Sequence, residues 1–202
     1  MSKIKLHESY ISVAYQEKPL NKTQSIRHAL NSREISKLMD SLKDVELSDG
    51  IVGDKAVTHE IRSNVRMCKI YWIPRNKENM WLYKKVVELA LKENERLWGF
   101  DLVGVDIPIQ YTEYDESYSG HYDWHVDIGN TNNSKRKLSI SLQLSEDSDY
   151  TGGDLKFFNK GKACRDKGSM TIFPSYMLHK VEPVTKGNRK CLVLWLTGHP
   201  FK

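Results

Sequence analysis

The sequence has no apolar run near the ~20 residues that a membrane span requires. Its first ten residues carry charge where a secretory leader needs an apolar stretch. A soluble, cytoplasmic protein with no membrane partner is therefore expected. Cysteine is scarce: Cys68, Cys164 and Cys191 are odd in number and far apart. That excludes a disulfide framework and a Cys-x-x-Cys zinc site, and it reads as reduced, packed thiols. There is no internal repeat and no low-complexity segment. Bases exceed acids by five (31 against 26), yet they are scattered in pairs rather than gathered in a run. The charge is read as a solvated surface, not as a nucleic-acid footprint.

What is present suits one domain with a sizeable core: 202 residues, 39% hydrophobic and 28% charged. Residues 1–25 read as an N-terminal segment with a short strand-like stretch over 10–15. Residues 26–202 read as a single domain, with helical support over about 26–99 and a strand-rich core over about 100–197. A helix is predicted over 32–44, with Asn31 as cap and Glu34 completing a capping box. Ile35, Leu38, Met39 and Leu42 form its apolar stripe. Residues 45–60 read as a loop or weak hairpin, 65–73 as a strand, and 76–98 as a second helix closed by Gly99. After residue 100 the period changes. Strands are predicted over 103–114, 121–128, 137–144, 155–158, 170–173, 179–184 and 190–196, punctuated by Gly, Asp, Asn and Pro. Helices followed by many short strands argue for an α+β fold, a sandwich or barrel braced by two helices.

The chemistry concentrates in His-Tyr-Asp-Trp-His-Val-Asp, residues 121–127. Alternation along a strand puts His121, Asp123, His125 and Asp127 on one wet face, and Tyr122, Trp124 and Val126 on a face that buries itself. A His-x-Asp pair with a distant His is the donor set for non-haem ferrous iron with open coordination positions. Two neutral imidazoles and one carboxylate hold one face of the ion and leave the other for O2 and an organic acid. Both His121-x-Asp123 and His125-x-Asp127 fit the pair. The second is favoured, because His121 follows Gly120 at the expected mouth of the strand. His179 is the candidate third ligand, opening a strand after Phe173–Leu178. Arg189 follows across the turn Thr185-Lys186-Gly187-Asn188, and a hairpin there would put it on the strand paired with that of His179. Its guanidinium fork matches a carboxylate, such as the far end of 2-oxoglutarate.

With these pieces in place, the sequence resembles the Fe(II)/2-oxoglutarate-dependent dioxygenases, in the prolyl 4-hydroxylase-like group that includes the PKHD-type hydroxylases. The resemblance rests on Gln110-Tyr111-x-x-Tyr114, Tyr122-x-Trp124-His125-x-Asp127, Arg136-Lys137-Leu138-Ser139, Leu142-x-Leu144-Ser145 and Tyr150-x-Gly152-Gly153-Asp154-Leu155. It continues in His179-x-Val181-x-Pro183-Val184-x-x-Gly187-x-Arg189, with Trp195 after it. Order and spacing match over roughly residues 100–197. The resemblance implies a double-stranded β-helix (a cupin-like jelly roll) with supporting N-terminal helices. It implies His125, Asp127 and His179 as catalytic iron ligands and Arg189 as the 2-oxoglutarate anchor. Tyr114 resembles the family's tyrosine that helps hold 2-oxoglutarate, with Tyr111 close by as the alternative, and Trp195 would wall the pocket. The loop 115–121 departs from the family's shorter pattern.

The activity so implied is hydroxylation of a C–H bond using Fe(II), 2-oxoglutarate and O2, with release of succinate and CO2 and ascorbate as a candidate reductant. The expected substrate is a proline in a peptide or protein; a free amino acid, another protein side chain or a nucleic-acid base would use the same chemistry. Trp195 stands where nucleic-acid demethylases of this superfamily carry a second arginine, which counts against a nucleic-acid partner. Asp127 counts against a halogenase, which has a small residue there. The non-enzyme alternative, a jelly-roll binding module that keeps a metal for structure, would lack a ligand or the arginine, and neither is missing.

Overall fold

Helix α1 (Ser32–Ser41) starts where the sequence places its cap. The Asn31 side chain accepts from the Glu34 amide (3.0 Å), and the Glu34 carboxylate accepts from the Asn31 amide (2.8 Å). Ile35 and Leu38 are its buried residues. Helix α2 (Met80–Leu97) starts later than expected. Residues 76–79 instead form a turn in which the Asn76 side chain accepts from the Asn79 amide. The computed structural model describes residue 18 and residues 20–50, 64–130 and 132–199. The expected strand over 10–15 lies outside the described residues, as do 51–60 of the expected 45–60 loop. No helix among the described residues is long and apolar enough to cross a membrane.

The strands among the described residues are β1 (Gln24–Ile26), β2 (Ser48–Asp49), β3 (Arg66–Met67), β4 (Lys69–Ile73), β5 (Leu102–Gly104), β6 (Ile109–Asp115) and β7 (His121–His125). They continue as β8 (Arg136–Gln143), β9 (Tyr150–Gly152), β10 (Leu155–Phe157), β11 (Gly161–Lys162), β12 (Met170–Pro174), β13 (His179–Val181) and β14 (Val184–Gly198). They form two antiparallel sheets. The larger runs β1-β12-β8-β14-β6-β4-β2, with β5 and β9 also paired to β14. The smaller runs β11-β10-β13-β7-β3. This is the jelly-roll arrangement with helical support.

The two faces of the larger sheet differ in polarity, and that difference makes a site. Leu138, Ile140 and Leu142 of β8, Met170 and Ile172 of β12, and Leu192, Leu194 and Leu196 of β14 pack with α1 and α2 in one core. With a side-chain period of two, the residues between them point the other way, toward the smaller sheet. Ser139, Ser141 and Gln143 of β8 are paired with Trp195, Val193 and Cys191 of β14. Arg189 is paired with Tyr114 of β6. The space between the sheets therefore carries hydroxyls, an amide and a cation among aromatic walls, and all of Ser139, Gln143, Thr171 and Arg189 are buried. A purely structural sandwich would fill that space with aliphatics, because each buried polar group needs a partner.

Several sequence expectations are corrected. The stretch 65–73 is not one strand: β3 pairs with β7 in the smaller sheet and β4 with β6 in the larger, so the chain changes sheets at Cys68. The stretch 103–114 is broken before β6, where Pro108 lacks the amide a ladder needs. The expected hairpin between His179 and Arg189 does not form. The β13 strand stops at Val181, Pro183 intervenes, and β14 begins at Val184 in the opposite sheet. His179 and Arg189 thus approach the interior from facing sheets rather than from one ribbon.

Candidate active site

Strand β7 carries the first ligand candidates, and its alternation is broken. Against β13, Val181 pairs with Tyr122 and His179 with His125. Two steps on one strand (179 to 181) meet three on the other (122 to 125), which is a β-bulge. The extra residue turns Tyr122 and His125 to the same side, and their rings stack at 3.5 Å and 12°. Trp124 and Val126, expected to be buried, are 39% and 42% exposed instead. The strand also ends at His125, so Asp127 reaches the interior from a loop. That loop is pinned: the Asp127 and Ile128 amides both donate to the Ser175 carbonyl, at 2.9 and 3.2 Å.

His125, Asp127 and His179 each bring one ligand atom into a cluster whose members lie within 4.8 Å of one another. The Asp127 carboxylate is 3.7 Å from His125 Nε2 and 3.5 Å from His179 Nε2. Each ring is oriented through its other nitrogen. His125 Nδ1 lies 2.8 Å from the Asp123 carbonyl, and His179 Nδ1 lies 2.8 Å from the Met177 carbonyl. A carbonyl can only accept, so Nδ1 carries the proton and Nε2 presents its lone pair to the cluster. Burial, helped by His179, pushes His125 down to about 4, which keeps that imidazole neutral near pH 7. Burial alone would raise the Asp127 carboxyl; the two imidazoles, the Ser139 hydroxyl and Arg136 outweigh it and hold the group ionised. Two imidazoles with Nε2 turned inward and one carboxylate are the donors that a divalent transition metal takes, with coordination positions left open.

A seryl relay behind Asp127 was not assigned a role from the sequence. Ser139 Oγ donates to Asp127 Oδ2 at 2.6 Å and accepts from Ser175 Oγ at 2.9 Å. Arg136 donates to the Asp127 carbonyl at 3.2 Å and lies over the Trp195 ring at 3.9 Å. The period-two pattern Leu138-Ser139-Ile140-Ser141 was the available signal for Ser139. Ser139→Ala should leave the carboxylate free to turn, weakening Fe(II) or Mn(II) binding by about tenfold, the lower end for a group that orients a ligand. A metal titration followed by calorimetry reads this directly, with circular dichroism as the control for folding.

The other candidates divide as follows. His121 and Asp123 stay outside the cluster. His121 Nδ1 bonds the Ser119 carbonyl, and Asp123 is exposed, accepting from the Trp124 amide. The loop between β6 and β7 folds back tightly enough that a Cβ on Gly120 would stand 2.6 Å from the Asp115 amide nitrogen. Arg189 is buried over the Tyr114 ring at 5.5 Å, and among the described residues no carboxylate pairs with it. Tyr114 lines the interior, whereas Tyr111 belongs to the helix-side core. Trp195 is buried with its indole nitrogen unpartnered. Tyr150, from the pattern Tyr150-x-Gly152-Gly153-Asp154-Leu155, is a further residue at this end of the interior. Its hydroxyl accepts from Gln143 at 2.9 Å, and it lines one cavity with Arg189, whose charge acts against the rise that burial gives the Tyr150 pKa. A buried cation with hydroxyl neighbours and no carboxylate fits a carboxylate supplied from outside.

Residues 109–197 match the family model described as the 2OG-Fe(II) oxygenase superfamily. Over 85 residues the chain is 41% identical to a PKHD-type hydroxylase of Herminiimonas arsenicoxydans, a match covering 38% of each protein. Over 178 residues it is 28% identical to a PKHD-type hydroxylase of Rippkaea orientalis, covering 85% of this chain and 77% of that one. The strongest sequence matches therefore span well under half of those relatives. Among solved structures, a Pseudomonas putida prolyl-4-hydroxylase superposes with a TM-score of 0.68 at 19% identity, over 89% of this chain and 94% of that one. A Trichoplax adhaerens prolyl hydroxylase, solved with a peptide from the oxygen degradation domain of hypoxia inducible factor, gives 0.71 at 22% identity, over 88% and 84%. The matched stretch 109–197 contains all three cluster residues and Arg189, so the part of the chain that carries the site is the part that is similar to the 2OG-Fe(II) oxygenase superfamily and to the PKHD-type hydroxylases.

Proposed function

We propose that this protein is a 2-oxoglutarate- and Fe(II)-dependent dioxygenase that hydroxylates a C–H bond, with a prolyl residue of a peptide or protein as the substrate. The observation that carries the reading is the buried His125–Asp127–His179 cluster with both imidazoles proton-locked at Nδ1. In this reading His125 Nε2, His179 Nε2 and the Asp127 carboxylate hold ferrous iron, and Ser139 fixes the carboxylate's orientation. Arg189 takes the distal carboxylate of 2-oxoglutarate, with Tyr150 and Tyr114 at its sides. Phe173, edge-on to His179 at 4.7 Å, and buried Trp195 keep water from the centre. Bound iron, 2-oxoglutarate and O2 together supply oxidative decarboxylation to succinate and CO2 and the oxygen atom delivered to substrate. Ascorbate would serve as the reductant that keeps iron ferrous between turnovers.

The peptide-proline substrate is supported by the prolyl hydroxylases among the structural neighbours. The test has two readouts. Succinate should form from 2-oxoglutarate with Fe(II) and O2, slowly even without a second substrate. A proline-rich peptide should then gain one oxygen atom by mass. An added oxygen on a free amino acid but not on the peptide would move the substrate assignment. No succinate under any condition would remove the dioxygenase reading.

A further inference from the structure

Arg165 has no part in the scheme above, yet it is the most heavily bonded charged side chain near the Arg189 end of the interior. It lies between β11 and β12, and all of its guanidinium nitrogens are engaged. Nη1 donates to Asp154 Oδ1 (2.7 Å) and to the Gly152 carbonyl (2.9 Å). Nη2 donates to the carbonyls of Tyr150 (3.1 Å) and Asp147 (3.2 Å), and Nε donates to the Asp147 carboxylate. The guanidinium plane also covers the Tyr150 ring, with its carbon 4.1 Å from the ring centre. A surface ion pair needs none of this; five bonds and a stack fix one ring and the three-residue strand that bears it.

Tyr150 transmits that constraint inward. Its ring is buried, its hydroxyl accepts from Gln143, and it shares a cavity wall with Arg189. The β9 strand is pressed against β14 two residues before Arg189, where Tyr150 pairs with Gly187. Gly187 has φ of 74°, and a Cβ there would stand 2.0 Å from the Asp149 carbonyl oxygen. No other residue type permits this approach. Tyr150, Arg165 and Arg189 line one cavity together with Ser141, Gln143 and Thr171. Of its two arginines, Arg165 is already neutralised by Asp147 and Asp154. Arg189 is the one left to receive an anion.

We propose that Arg165 is a positioning residue for the co-substrate: it clamps Tyr150 from outside, so that the Tyr150 hydroxyl holds the Arg189 fork ready for the distal carboxylate of 2-oxoglutarate. This rests on the assignment of Arg189 made above. The test is calorimetric titration of 2-oxoglutarate into the full-length, Mn(II)-loaded protein without O2, so that binding is read apart from turnover. Arg165→Ala should weaken 2-oxoglutarate binding by about threefold to tenfold, the worth of one hydrogen bond. Its Mn(II) affinity should stay within about twofold of the parent, and in turnover KM should rise while kcat holds. Tyr150→Phe should weaken binding to a similar extent. The double variant should bind no worse than about twofold below Tyr150→Phe, because one residue acts through the other.

Parent-like 2-oxoglutarate binding in folded Arg165→Ala overturns the proposal, and so do effects that multiply in the double variant. Should the alanine variant fail to fold, Arg165→Lys keeps the charge facing Asp147 and Asp154 but lacks the fork and the flat cation. It is expected to show the same weakening, and parent-like binding there overturns the proposal equally. Unchanged binding in Arg189→Ala would instead overturn the reading of the site, and the positioning role with it.

Discussion

His179→Ala is expected to abolish succinate formation from 2-oxoglutarate, leaving less than about 1% of parent turnover, a loss of roughly 3 kcal/mol or more in effective barrier. The reason is the small number of donors. A site with three protein ligands and open positions has no spare ligand, so losing one leaves a two-point hold on the ion. Position 179 cannot be refilled easily by solvent, because His179 is 4% exposed and flanked by Phe173 and Phe157. The same burial makes the alanine variant liable to a cavity cost of about 2–5 kcal/mol. His179→Gln is therefore the companion variant: it keeps more of the volume and supplies a much weaker donor. Both should fold, as judged by circular dichroism, and both should lose Fe(II)-dependent turnover. Full turnover in a folded His179→Ala protein would remove His179 from the metal centre.

Arg189→Ala is expected to raise the 2-oxoglutarate requirement by about tenfold to a hundredfold, the worth of a charge-assisted contact of about 1.5–3 kcal/mol. The iron requirement should change far less, because Arg189 lies on β14 in the sheet opposite His179 and touches none of the three cluster residues in the contacts described above. A KM effect with kcat nearly held is the signature of binding that is equal in ground and transition states. Arg189→Lys should fall between parent and alanine. Lysine keeps the charge but offers a point donor where the guanidinium offers a planar fork. Equal sensitivity of iron and 2-oxoglutarate to Arg189→Ala would instead indicate a general collapse of the interior.

Much of this site could be read from residue order, for a physical reason. Metal ligation demands particular side chains, so His125, Asp127 and His179 stand out whatever backbone carries them. The capping box at Asn31 is local chemistry and was equally legible. What failed depended on long-range pairing. The bulge in β7 arises from its register against β13, 54 residues later (179 − 125 = 54), so simple alternation misplaced Tyr122, Trp124 and Val126. The supposed hairpin at Thr185–Asn188 looked local, but Pro183 and the pairing of β14 with β6 and β8 send the two arms to different sheets. Ser139, Ser175, Tyr150 and Arg165 could not be assigned roles from the sequence because hydroxyls and arginines are common, and only proximity to Asp127 or Arg189 gives them meaning.

The central claim is that one ferrous ion sits among His125, Asp127 and His179 with Arg189 available to its co-substrate. Anomalous diffraction from crystals grown without O2, with Mn(II) and 2-oxoglutarate, tests it most directly. The account predicts a single strong peak about 2.0–2.3 Å from His125 Nε2, His179 Nε2 and an Asp127 oxygen. It also predicts a dicarboxylate running from the metal to the Arg189 guanidinium. A peak at any other residues, or a metal at the cluster with 2-oxoglutarate bound away from Arg189, would contradict it.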